Sequence, residues 1–145
     1  AHFYNICNYR MLNMLPKTDL IHQMLEKNRI QSLDTQHLQR RQQQELMSLK
    51  QLQQRQPNYL NDYDQLFRYV TLWLLQQGYD LTPHEPHQVL KNVCLFHLPD
   101  VDIQSLIKHR HQLKKGMIQK SDAKLWEELV FCLDDLKARL QAYDL

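Results

Sequence analysis

Two glycines in 145 residues, Gly78 and Gly116, set the strongest limit on what this chain can fold into. Folds rich in β-structure need glycine at many turns, because tight turns demand backbone conformations that other residues resist. So few glycines imply few, short connections between helices. The five prolines, at positions 16, 57, 83, 86 and 99, all fall between stretches of helical periodicity, where they act as breaks. The chain is long enough to bury a core without disulfide or metal staples. Residues 18–145 are therefore expected to form one all-α domain, a five- to six-helix antiparallel bundle, with residues 1–17 as an N-terminal extension.

Thr18 or Asp19 can cap a first helix to about Lys27 through Leu20, Ile21, Met24 and Leu25. Asp34 and Thr35 open a second, polar helix to Gln56, with nine glutamines between Gln36 and Gln56. Its apolar positions Leu38, Leu46, Leu49 and Leu52 share their face with Gln42 and Glu45, as on an outer helix of a bundle. Pro57 and Asn58 break it. The third helix, Tyr59 to Gln77, is apolar on almost every side towards its end, so it is central or shared between the core and a partner. Gly78 ends it. Thr82, with Pro83 at the first helical position, starts a fourth helix that Pro99 stops. Asp100 or Asp102 starts a fifth, to about Lys115. Ser121 and Asp122 start a sixth, whose Leu125, Trp126, Leu129, Val130, Leu133, Leu136, Leu140 and Tyr143 share one face. Phe131 points away from that face, and no strand pattern competes.

Several classes of chemistry find no support. No stretch approaches the ~20 apolar residues of a membrane span, and residues 1–15 lack the continuous apolar run of a signal peptide. Cys7, Cys94 and Cys132 are odd in number and widely spaced, which fits reduced thiols in a cytoplasmic protein. Two isolated glycines exclude a glycine-rich phosphate loop. His84 and His87 could share a helix face, but no cysteine lies near them and no HExxH pattern occurs, so neither metal nor cofactor is expected. A net charge of +2 does not by itself imply nucleic-acid binding, although local clustering can.

Such a cluster lies in the fifth helix. Ile103, Leu106, Ile107, Leu113 and Met117 define a buried stripe with Arg110 in its middle, flanked by His109 and His111. An arginine on an apolar face must be paired, must extend to water, or must line a cleft, because unpaired burial is costly. Pairing with a core carboxylate such as Glu45 or Asp64 would satisfy it. Lys108, Lys114, Lys115 and Lys120 accumulate around it, with no acid between Asp102 and Asp122. That local positive field suits phosphate.

From about Leu20 to Leu140 the chain resembles the HEPN superfamily, small helical bundles of bacterial toxin–antitoxin, defence and RNA-processing systems. The likeness rests on a short helix (Leu20 to Ile30) followed by a long one. It continues in the segment from Tyr63 to Leu75 with Gly78, Tyr79, His84 and His87 after it, and in the late helix bearing Arg110. The resemblance implies binding of RNA or nucleotide phosphate, and metal-independent RNA cleavage by an arginine and a histidine four to six residues further on. Here Lys115 to Met117 contain no histidine, so His111, His109 or His87 would have to assist Arg110, with Lys108, Lys114 and Lys115 on the phosphates. It also implies a homodimer, joined through the apolar third helix at Tyr69 and Trp73 or through Phe131. The alternative reading is a non-catalytic module that holds a cognate protein partner.

Overall fold

A computed structural model describes residues 17–140. The expected extension, Cys7 and Tyr143 lie outside the described residues, apart from Lys17, which opens the first helix. The described chain is an all-helical bundle of α1 (Lys17–Glu26), α2 (Thr35–Gln53), α3 (Tyr59–Gln76), α4 (Pro86–His97), α5 (Ile103–Lys114) and α6 (Ala123–Arg139). Two short strands, β1 (Ile30–Ser32) and β2 (Tyr79–Leu81), pair antiparallel with Ile30 opposite Leu81 and Ser32 opposite Tyr79. The strands correct the sequence reading, since three residues are too few to show a two-residue alternation.

Local chemistry sets most helix starts. Asp34, Asn58, Asp102 and Asp122 each accept a hydrogen bond from the backbone N–H three residues on, which satisfies a donor with no partner inside the helix. The fourth helix departs from expectation. It begins at Pro86, with Glu85 left-handed at φ 48° and giving no side-chain cap. Thr82, expected as its cap, instead donates its hydroxyl to the Asn28 carbonyl and accepts from the His84 N–H. Arg29 holds the Glu85 carboxylate at 2.6 Å, so the two strand connections are clasped at this end as well.

α3 is the axis of the bundle. Twelve of its residues are buried, from Tyr59 to Leu75, and Leu66, Leu72 and Leu74 are wholly enclosed. Each such leucine contributes about 1.5–3 kcal/mol of transfer free energy. Tyr69 and Trp73, expected on a partner-facing surface, lie inside this chain's own core at 0% and 5% exposure. The all-round apolar pattern reflects a helix surrounded by its own bundle. Gln53 donates to the Tyr69 hydroxyl at 3.3 Å, and the Trp73 ring packs against Phe96 and His97.

Glu45, anomalous on the stripe of α2, is 2% exposed and sits between two guanidiniums, Arg41 at 2.9 Å and Arg68 at 3.0 Å. Its partners are therefore Arg41 and Arg68. Arg41 also reaches Asp80 of β2. Trp126, on α6, donates its indole N–H to Asp62 in the first turn of α3 at 2.7 Å. On α5 the buried face runs through Ile103, Leu106 and His109, while Met117, expected at its end, is exposed, as is Val130 on α6.

Candidate functional site

Three helices bring Tyr63, His87 and Arg110 together. Tyr63 comes from α3, where its ring is wholly buried. His87 stands in the first turn of α4, which carries no acidic residue. Arg110 comes from the last half of α5 and is half-buried. The Tyr63 hydroxyl lies 2.9 Å from Nδ1 of His87, and Nη1 of Arg110 lies 3.3 Å from Nε2 of the same ring. The guanidinium also sits over the Tyr63 ring, 5.3 Å from its centroid, within cation–π range. Phe67 closes the far side of the imidazole with an edge contact at 5.5 Å.

The donor inventory fixes the proton positions. A guanidinium has donors and no acceptor, so Nε2 of His87 accepts from Arg110 with its lone pair. The neutral ring then carries its hydrogen on Nδ1 and donates it to the Tyr63 oxygen. Burial holds the His87 pKa below its ordinary value, and the charge of Arg110 lowers it further, with Asp64 opposing and His111 adding to the depression. Burial likewise raises the Tyr63 phenol, against a lowering influence from Arg110.

Among the described residues, Arg110 forms no ion pair with a carboxylate, and its buried Nε has no hydrogen-bond partner. Glu45, one carboxylate that could have paired with it, is taken by Arg41 and Arg68. A half-buried guanidinium with no carboxylate in contact carries a charge that Asp64, which acts on the neighbouring His87 without a direct bond, answers only at longer range. Lys108, His111, Lys114 and Lys115 are exposed along the same helix and its end.

His109 has a different place. It is 5% exposed, packs edge-on to Tyr59 with ring centroids 4.7 Å apart, and accepts the backbone N–H of Asp122 on Nε2 at 3.0 Å. It joins α5 to the start of α6. His84 precedes α4 and is exposed. Among the described residues, no three His, Cys, Asp or Glu side chains cluster as a metal site would require. Cys94 and Cys132 are buried, with thiols pushed up by burial, Cys132 to about 12. Phe131 is 61% exposed and lines a groove of about 470 Å³ with Asp100, Asp102, Glu127 and Glu128. No helix among the described residues is long and apolar enough to cross a membrane.

Tyr63 is the functional candidate that sequence reasoning passed over. A tyrosine on an apolar helix reads as core, and only the arrival of His87 gives its hydroxyl a role. No protein-family model matches the chain, and neither a curated protein nor a solved structure shows significant similarity to it.

Proposed function

We propose that this chain is a HEPN-like protein that holds the phosphate backbone of RNA at Arg110, beside His87. The observation that carries the reading is the half-buried guanidinium of Arg110, which has no carboxylate partner among the described residues and is backed by a neutral imidazole. A phosphodiester supplies the missing negative charge and two acceptor oxygens for charge-assisted hydrogen bonds. Lys114, one turn beyond Arg110, extends the positive surface for a neighbouring phosphate, while Lys108 and Lys115 add to the positive field from other sides of α5. Holding RNA is favoured over cutting it, because no histidine stands four to six residues beyond Arg110 to serve as the expected acid–base group.

RNA binding and cleavage assays in EDTA, comparing the native protein with Arg110→Ala, test the proposal. The expected result is binding that weakens as salt rises and falls roughly 10- to 100-fold in the variant, from loss of hydrogen bonds to a charged group. Cleavage that survives EDTA and is lost in the variant would identify a metal-independent ribonuclease and open the search for its acid–base partner among His87, His109 and His111. Unchanged binding in Arg110→Ala would end the phosphate reading.

The exposed Phe131 in its acidic groove favours a second reading, a module that holds a protein partner there. Binding through that groove would be lost in Phe131→Ser and kept in Arg110→Ala.

A further inference from the structure

We propose that the site takes up one proton, on Nε2 of His87, each time it binds an RNA phosphate, so that the occupied state is an imidazolium–guanidinium clamp. This rests on the phosphate reading of Arg110 and names how that site is regulated. In the free protein the Nη1 donor of Arg110 is engaged by the Nε2 lone pair at 3.3 Å. A phosphate oxygen competes for the same donor. Once Arg110 turns to the phosphate, an unprotonated Nε2 would present its lone pair to an oxyanion, an arrangement of two acceptors. A proton from solvent on Nε2 converts that contact into a donated, charge-assisted hydrogen bond.

Tyr63 makes the change possible without rearrangement. Its oxygen accepts from Nδ1–H at 2.9 Å in the neutral ring and keeps the same role for the imidazolium. The charged groups acting on His87 are Arg110 and His111 of α5, which oppose protonation, and Asp64 of α3, which favours it. A bound phosphate offsets the charge of Arg110 and so removes the larger electrostatic obstacle. Acidification and RNA binding therefore reinforce each other, by the same linkage in both directions.

The test is calorimetric titration of a short single-stranded RNA at pH 7.5 in buffers of different protonation enthalpy, on the native protein and on His87→Gln. NMR titration of the His87 ring, with and without the RNA, accompanies it. The expected result is close to one more proton taken up by the native protein than by His87→Gln. Native affinity should also fall about tenfold per pH unit between the His87 pKa of the free protein and that of the complex, relative to the variant, and the His87 pKa should rise when RNA is added. Equal proton uptake in the two proteins, with binding still lost in Arg110→Ala, overturns the clamp and leaves the phosphate reading standing. RNA binding that is absent, or indifferent to Arg110→Ala, removes both. Should His87→Gln fail to fold, the NMR titration of the native protein decides, an unmoved His87 pKa overturning the clamp.

Discussion

The Arg41 guanidinium bridges from α2 to Asp80 of β2 at 2.7 Å while keeping a second contact, 2.9 Å, to Glu45 on its own helix. Glu45 is shared with Arg68 of α3, so four charged side chains join three elements through two buried carboxylates, Glu45 and Asp80. Removing the Glu45 carboxylate leaves Arg68 without its ion-pair partner and Arg41 with Asp80 alone. Glu45→Ala is expected to destabilise the protein by about 2–3 kcal/mol, less than for a fully enclosed pair because both arginines reach water. Arg68→Ala leaves Glu45 paired with Arg41 and should cost about 1 kcal/mol or less. Urea unfolding of the two variants measures the difference, and equal losses would contradict the network.

His109→Ala should lower stability by about 2 kcal/mol, through a lost hydrogen bond to the Asp122 N–H and the space left beside Tyr59. RNA affinity should stay within about twofold, since the ring faces α6 and Tyr59. A variant that folds with native stability yet loses RNA would show that His109 belongs to the site.

His97 titrates far below its ordinary range, at about 4, because burial penalises its charged form and Arg139 adds to that, against Asp135. A base whose folded pKa is depressed binds its proton more readily in the unfolded chain. Its contribution is therefore fully present above pH ~6.5 and is lost as pH falls towards about 4. The unfolding midpoint of the native protein should fall across that window. His97→Leu should flatten that part of the profile, and an unchanged slope would show that other groups set it.

Phe131→Ser should leave stability within about 0.5 kcal/mol, because the ring is largely exposed. Leu129→Ala, two positions earlier and wholly buried, should cost about 2–5 kcal/mol. Comparable losses in the pair would mean that Phe131 is covered in solution.

What the sequence shows, it shows through local chemistry. Asp34, Asp102 and Asp122 mark helix starts because a capping side chain bonds to backbone three residues away, and no distant partner is needed. The start of α4 misleads for the opposite reason. Thr82 and Pro83 have the chemistry of a cap, but Thr82 is recruited by the Asn28 carbonyl across the clasp, and Pro86 serves as first residue instead. Arg110 stands out from spacing alone as a charge on an apolar stripe, and Glu45 does so for the same reason. The partner of Glu45, Arg68, depends on how α2 lies against α3, and no periodicity records that. The rotation of α5, which buries His109, is set by Tyr59 and by the N–H of Asp122, while Met117 is exposed because the helix ends at Lys114, before reaching it. These contacts are long-range, so the helical wheel places the stripe without fixing its edge.

Tyr63 is enclosed in the best-packed helix of the bundle, and His87 rests on its hydroxyl. The imidazole is therefore oriented when the core forms, before any ligand arrives. Little rotational freedom remains for it to lose on capture, so more of each contact's free energy can appear as affinity. The same arrangement ties the chemistry to the core, since a change at Tyr63 that improves packing will also reset the direction in which the imidazole presents its lone pair.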